Sequence, residues 1–301
     1  MYEKTVIHVF TNNCCNIKYS PNDTSSYWGI GDLIRGTIKL YQYSQIMKFN
    51  YYVDISLHPI SRYLINPPHP YQQLVQDNKD NIEYFYIDTL KAAFKKSHAK
   101  TQDLENPKRK YNENNSTNDN IFMLTTNDRI VETLPITDDC KEFILTIFTP
   151  KPEFKFYFDN YVNNVLKLED NYGICHFRLG DDFLIKYENK INDIEIFLNK
   201  YITNNYISVE HDILLTDNKL LKKYVLDNKI MVTPNTTIKH LGLVDDKTNP
   251  DEDYGTRDTL VDFFLVLNSK VIKSYTTYTW ISGFVFWCSV IKDIPLIILD
   301  K

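Results

Sequence analysis

From Gly173 to Leu299, short apolar runs alternate with longer amphipathic stretches, and nothing else in the chain restricts the fold so tightly. Gly173–Leu179, Asp212–Thr216, Ile230–Thr233, Val271–Lys273 and Leu296–Leu299 read as buried strands. Between them Ile191–Ile202, Asn218–Leu226, Thr256–Asn268 and Trp280–Ile291 read as helices. Strands separated by helical segments of about 10–15 residues imply a parallel, doubly wound α/β sheet. In such sheets ligands sit beyond the carboxyl ends of the strands, where the strand order reverses. Functional residues are therefore expected just after strands.

The first half follows the same plan less clearly. Lys4–Phe10 suits a strand, and Thr11–Trp28 a polar loop. Gly29-Ile30-Gly31-Asp32 then leads into Leu33–Lys48, where Leu33, Ile34, Ile38, Tyr41 and Ile46 fit a helical stripe better than alternation. Tyr51–Ile55 is a second strand. The segment from about 97 to 120 is almost wholly polar and reads as an insertion or loop. Two prolines within Pro150–Glu153 mark a domain boundary, followed by an amphipathic helix through Leu168. The expected domains are 1–152 and 153–301, each with enough apolar residues for its own core, since 43% of the 301 residues are hydrophobic.

Composition removes several classes of function. With 34 basic against 39 acidic residues and no arginine-rich stripe, nucleic acid is not an expected partner. The five cysteines (Cys14, Cys15, Cys140, Cys175, Cys288) are odd in number and lack CxxC spacing, which argues against a cysteine zinc site or a disulfide framework. The N-terminal residues lack the pattern of a signal peptide. The most apolar stretch, Ile281–Leu299, is interrupted by Lys292, Asp293 and Pro295, so it falls short of the ~20 apolar residues of a bilayer span. A cytoplasmic protein without a transmembrane segment is expected; the abundance of Asn, Lys, Ile and Tyr reflects an AT-rich coding sequence. Asp251-Glu252-Asp253 has the letters of a metal-binding DxD, but no strand precedes it, and it reads as a solvated acidic loop. No GxSxG elbow is present.

Four segments could carry chemistry. In His176-Phe177-Arg178-Leu179-Gly180-Asp181, strand alternation puts His176 and Arg178 on one face at the strand's exit. An arginine there suits phosphate oxygens, and Gly180 permits a sharp departure; the plainer alternative pairs Arg178 with Asp181 or Asp182. Ser274, Thr276 and Thr277 are expected between a strand and a helix, where hydroxyls and backbone N–H groups bind anions or simply cap the helix. Gly29, Gly31, Asp32 and Arg35 form a glycine loop opening a helix, without the full dinucleotide pattern. Asp217 ends the run Leu214-Leu215-Thr216-Asp217, and Asp262 lies among apolar residues of a helix, where the ordinary expectation is a solvated outer face.

Taken in order, these features resemble one family. HFRLGD resembles the HxRxGD motif of the GT-B fucosyltransferase superfamily, which includes α-1,2-, α-1,6- and protein O-fucosyltransferases. LLTD is similar to that family's FSDD-like strand end, and Val271–Trp280 to its S-x-S-T-F-S-W block. Gly29–Asp32 looks like its G-x-G-N, which opens the first helix near the acceptor. The resemblance implies a GT-B fold, two Rossmann-like domains facing across a cleft, with an acceptor-side N-terminal domain and a C-terminal domain for the nucleotide sugar. It implies inverting, metal-independent transfer of fucose from GDP-fucose to a hydroxyl of a glycan acceptor, with no cofactor. Arg178 would neutralise the leaving diphosphate, Thr276 and Thr277 would bind its phosphates, His176 would lie beside the nucleotide, Asp262 would read guanine or ribose, and Ser274 and Asp217 would belong to the same donor site.

Three departures accompany it. The second arginine of HxRR is Leu179, the asparagine of G-x-G-N is Asp32, and the S-T-F segment carries Thr276 and Tyr278. A carboxylate at Asp32 suits a general base. Leu179 keeps open the alternatives of a non-catalytic nucleotide- or carbohydrate-binding relative and of a GT-B enzyme using another nucleotide sugar.

Overall fold

The computed structural model describes residues 4–11, 28–79, 121–126, 130, 132–169, 171–180, 190–236 and 254–300. The polar segment 97–120, Cys14, Cys15, Asp181, Asp182 and the Asp251–Asp253 run lie outside the described residues. The described residues divide into two compact units, one ending at Pro150 and the other beginning at Lys151.

The first unit contains β1 (Thr5–Val9), α1 (Ile30–Met47), β2 (Asn50–Asp54), a 3-10 turn (Pro59–Arg62), α2 (Gln72–Asp77), β3 (Ile121–Leu124) and α3 (Asp138–Ile147). Its sheet is parallel with order β2-β1-β3, Thr5 lying opposite both Asn50 and Ile121. Alternation along β1 sorts the side chains to two cores. Val6 packs with Leu40 and Tyr43 of α1, Phe49 and Leu124, whereas Ile7 and Val9 pack with Val75 of α2 and Met123. Helix α1 starts at Ile30, with Gly29 as its N-cap, because Asp32 and Leu33 already donate their N–H groups to the Gly29 carbonyl.

The second unit contains α4 (Pro152–Asn160), a π-helical turn (Tyr161–Leu166), β4 (Gly173–Arg178), α5 (Lys190–Thr203), β5 (Asp212–Thr216), α6 (Lys219–Asn228), α7 (Tyr254–Leu267), β6 (Ile272–Thr276), α8 (Gly283–Lys292) and β7 (Leu296–Ile298). All four strands run parallel in the order β5-β4-β6-β7. On one face Cys175, Phe177 and Leu179 pack against Ile194, Leu198 and Tyr201 of α5 and Leu221 and Val225 of α6. On the other, His176 lies against Phe284 of α8, which meets Phe263 of α7. Burying one such aromatic or aliphatic side chain contributes about 1.5–3 kcal/mol, so the alternation of β4 alone fixes which face each of its residues takes. Helices cover both faces, and the order places the switch point between β4 and β6.

Four elements differ from the sequence expectation. Residues 230–233 form no strand; one bond, from the Leu214 N–H to the Val232 carbonyl (2.9 Å), ties them to β5. Pro234 follows at once and has no N–H to extend a ladder. The helix expected through Leu168 ends at Asn160 and widens into the π turn, where Val162, Asn163, Asn164 and Val165 are weak helix formers. Strand β6 runs on through Ser274, Tyr275 and Thr276, because pairing along β4, from Ile174–Ile272 to Arg178–Thr276, overrides its hydroxyl-rich composition. Helix α8 begins at Gly283 instead of Trp280.

Candidate functional site

At the β4–β6 switch point Arg178 is the last residue of β4, and its guanidinium Nη1 donates to a carboxylate oxygen of Asp217, immediately after β5. Asp217 also accepts the N–H groups of Leu179 (2.7 Å) and Gly180 (3.0 Å). One carboxylate, 9% exposed, thus fixes both the arginine and the turn by which the chain leaves β4. Gly180 has φ +70°, a left-handed conformation that favours glycine, and a Cβ there would stand 2.9 Å from the Tyr278 hydroxyl, which would have to shift. Asn218 caps α6 by accepting the Leu221 N–H (2.9 Å) and donates to the Gly180 carbonyl (2.9 Å). The exit of β4 and the start of α6 are therefore one hydrogen-bonded corner.

The β6 exit closes on the same corner. Thr277 donates its N–H to the Arg178 carbonyl (3.1 Å) and its hydroxyl to the Leu179 carbonyl (3.2 Å). The Thr276 hydroxyl accepts the Tyr278 N–H (3.1 Å). Neither threonine caps α8, contrary to the expectation of a helix-terminal anion site; six residues separate Thr276 from Gly283. Their hydroxyls instead shape the loop. The Arg178 guanidinium lies 5.6 Å from the Tyr278 ring centre, and its side chain keeps 29% exposure.

His176 is buried, with Nδ1 3.3 Å from the Ser274 hydroxyl and its ring stacked on Phe284. Burial pulls its pKa down to about 4, Asp217 opposing and Arg178 assisting, so the ring is neutral at pH 7. Ser274, 2% exposed, serves that histidine from within β6.

Asp262 does not lie on a solvated face. It accepts the Thr236 hydroxyl (3.0 Å), and Thr236 in turn accepts the Lys222 ammonium at its hydroxyl (2.6 Å) and carbonyl (2.5 Å). Burial pushes the Asp262 carboxyl up to about 6, against the pull of Lys222 and the Thr236 bond. Burial also lowers Lys222, with Asp262 and Asp258 opposing. Nearby, Arg257 pairs with Asp258 (3.1 Å) and lies 4.6 Å from the ring centre of Tyr157, which stacks on Tyr161.

In the first unit, Gly29 is the N-cap of α1, Gly31 is buried in its first turn, and Asp32 pairs with Arg35 one turn on (2.8 Å). Burial raises the Asp32 carboxyl, with Arg35 opposing. Sequence reasoning passed over a buried pair at the end of β2, where His69 Nε2 lies 2.5 Å from Asp54. Ser56 donates its N–H (2.7 Å) and hydroxyl to the same carboxylate. Burial works against charge on Asp54, but the His69 and Ser56 bonds outweigh it and hold the carboxyl below its ordinary value. The run Tyr51-Tyr52-Val53-Asp54, an acid ending a strand, was the available signal. His8 was also passed over; fully buried and lowered to about 3 by burial, it accepts the Thr126 N–H (3.3 Å) and meets the Thr37 hydroxyl (3.2 Å) as a neutral core residue. Lys222 and Thr236 gave no sequence signal, since a lysine on an amphipathic helix is ordinarily solvent-facing.

Among the described residues no group of three or more His, Cys, Asp and Glu side chains is placed to hold a metal ion, and no helix is long and apolar enough to cross a membrane.

The fold is that of the GT-B fucosyltransferases. No protein-family model matches the chain, and no curated protein matches it by sequence. Among solved structures, the chain is similar to NodZ α-1,6-fucosyltransferase soaked with GDP-fucose, at 11% identity and a TM-score of 0.54, covering 99% of this chain and 96% of that one. It is similar to a variant of FUT1 from Arabidopsis thaliana in complex with GDP, at 10% identity and a TM-score of 0.53, covering 100% of this chain and 71% of that one. NodZ from Bradyrhizobium gives 10% identity and a TM-score of 0.50, covering 97% and 94%.

Proposed function

We propose that the chain is an inverting, metal-independent glycosyltransferase that moves fucose from GDP-fucose to a hydroxyl of a glycan acceptor. The observation that carries this reading is Arg178, held by Asp217 at the carboxyl end of β4 beside the β4–β6 switch point of a fucosyltransferase fold. When the glycosyl bond breaks, negative charge builds on the departing diphosphate. A preorganised guanidinium there stabilises the transition state more than the ground state. Asp217 acts by aiming it, and Thr276 and Thr277 hold the loop around it. Neutral His176 and Ser274 back the site from the sheet. Asp262, within its Lys222–Thr236 network, is assigned to guanine or ribose. On the first unit, Gly29, Gly31, Asp32 and Arg35 are assigned to the acceptor, whose hydroxyl proton Asp32 accepts as its oxygen attacks the anomeric carbon from the side opposite the diphosphate. Burial favours this role by raising the carboxyl toward the working pH.

The GDP and GDP-fucose of the similar structures support the choice of donor. The test is a thermal-shift and donor-hydrolysis panel of GDP-fucose, GDP-mannose, GDP, UDP-sugars and dTDP-sugars, with and without EDTA. Stabilisation by GDP compounds with EDTA-resistant release of fucose is the expected result. Stabilisation by UDP or dTDP compounds alone would overturn the donor. Leu179 in place of the motif's second arginine favours one further reading, a nucleotide-binding relative without turnover; binding of GDP-fucose with no release of fucose, alone or with acceptors, would establish it.

A further inference from the structure

The loop leaving β6 carries an aromatic pair that the reaction above does not use. Tyr278 and Trp280 stack with ring centres 5.1 Å apart and planes 25° from parallel, yet Trp280 is 64% exposed. An indole stacked on one side and exposed to that degree has its outer face in solvent. Single exposed apolar residues are common and need no explanation. This one differs in how firmly it is held and in what lies beside it. The Tyr278 N–H is bonded to the Thr276 hydroxyl, and Thr277 is bonded through both its N–H and its hydroxyl to the exit of β4. The Tyr278 ring sits 5.6 Å from the Arg178 guanidinium, and its hydroxyl occupies the space a Cβ at Gly180 would need. The turn at Gly180, the loop and the aromatic pair are thus built as one piece, with a cation at one end and an open ring face at the other.

We infer that Tyr278 and Trp280 form a platform for the apolar C–H face of a pyranose ring, adjoining the anion site at Arg178. This rests on the assignment of a diphosphate to Arg178. Tyr278 lies 5.6 Å from the guanidinium and Trp280 is stacked 5.1 Å beyond it; a sugar is favoured over the nucleotide's base because the pyranose is bonded directly to the diphosphate or attacks beside it. The base is a ribose further away. An aromatic pair with two torsions per side chain, already stacked, loses little entropy when a sugar covers it. The covering pyranose belongs either to the donor or to the acceptor.

The test compares Trp280→Ala and Trp280→Phe with the unmodified chain in two arms. The first measures binding of GDP and of GDP-fucose by titration calorimetry. The second titrates the GDP-loaded protein with methyl glycosides of galactose, glucose and N-acetylglucosamine, followed by saturation-transfer NMR. Trp280→Ala is expected to leave GDP affinity unchanged and to weaken either GDP-fucose or a methyl glycoside about fivefold to tenfold, with Trp280→Phe restoring most of it. Loss in the first arm assigns the platform to the donor sugar, and loss in the second to the acceptor. Equal weakening of GDP and GDP-fucose would place the base on Trp280 and overturn the inference, as would no change in either arm while the unmodified chain binds GDP-fucose. Failure of the unmodified chain to bind any GDP compound would overturn the donor assignment and the platform together.

Discussion

Removing either partner of the Arg178–Asp217 pair should separate stability from catalysis, because the two side chains carry unequal obligations. Asp217→Ala strands the Leu179 and Gly180 N–H groups, whose bonds to the carboxylate are 2.7 and 3.0 Å, and takes the carboxylate away from the guanidinium of Arg178. Each orphaned buried donor costs about 1–3 kcal/mol. The 29% exposure of Arg178 lets water take over part of its share, so the central expectation is about 3 kcal/mol. For a unit of this size that corresponds to roughly 6–12 °C in the Tm of its transition. Arg178→Ala leaves Asp217 with both backbone donors, so it should cost only about 1 kcal/mol and 2–4 °C. Transfer should respond in the opposite order: loss of the group facing the leaving diphosphate is worth about 10²–10³ in kcat. Differential scanning calorimetry and initial rates with GDP-fucose on both variants measure the two effects. Equal Tm losses, or Asp217→Ala melting within about 2 °C of the parent, would refute the claim that the carboxylate organises this corner. Parent-level turnover in a folded Arg178→Ala protein would refute the role of the guanidinium.

Asp262, with a native pKa of about 6 against an ordinary 3.8, binds its proton more tightly when folded, so its contribution to stability falls as pH rises between those values. Denaturant midpoints of Asp262→Asn across that window should show a flatter pH dependence than the parent, and superimposable curves would remove the assignment. Asp32→Asn should slow transfer by about 10²-fold or more while leaving GDP affinity unchanged, as loss of a general base demands; unaltered kcat would end that role. His69→Ala leaves the Asp54 carboxylate buried with Ser56 as its remaining described partner, which should cost about 3 kcal/mol by urea unfolding near pH 7. Because Asp54 is depressed, the stability it lends is present above 3.8 and disappears as pH falls through its folded value, so the variant and the parent should converge in acid.

The fold was legible where hydrophobic period and local chemistry agree. Asp212–Thr216 reads as a strand from five residues that are all buried, and Ile194, Leu198 and Tyr201 mark the inner face of α5 at helical spacing. It was illegible where a partner strand decides. Ser274, Tyr275 and Thr276 look like a helix-capping loop in isolation, and only register against His176, Phe177 and Arg178 makes them strand. Likewise, Ile230–Thr233 has a strand's composition but the following proline denies it a ladder, which local apolarity does not reveal. Strand-end placement of Arg178 and Asp217 was readable from the rhythm alone. Their mutual bond was not, since 38 residues lie between them and acidic neighbours closer in sequence offered an equally good partner. The Lys222–Thr236–Asp262 network escaped for the same reason: it joins α6, the segment after 230 and α7, three pieces whose meeting only tertiary packing defines.

Leu179 shows how the HFRLGD segment can depart from the motif it resembles without leaving a hole. Alternation places residues 175, 177 and 179 on one face of the strand and its exit, and Leu179 is 2% exposed within the cluster that holds Phe177, Leu198 and Tyr201. A guanidinium there would be a cation buried among apolar side chains, costing several kcal/mol without a partner. On this backbone, then, the position is closed to a second phosphate-facing arginine by packing. On the proposed reading the diphosphate falls instead to Arg178, which ends β4 on the face that also carries buried His176 and keeps 29% side-chain exposure, and to the β6 loop bonded to it. The Leu179 carbonyl and N–H still take part in that corner through Thr277 and Asp217. The residue therefore keeps its backbone role at this corner while its side chain belongs to the core, and on the proposed reading leucine in place of a second arginine reduces the charge facing the diphosphate.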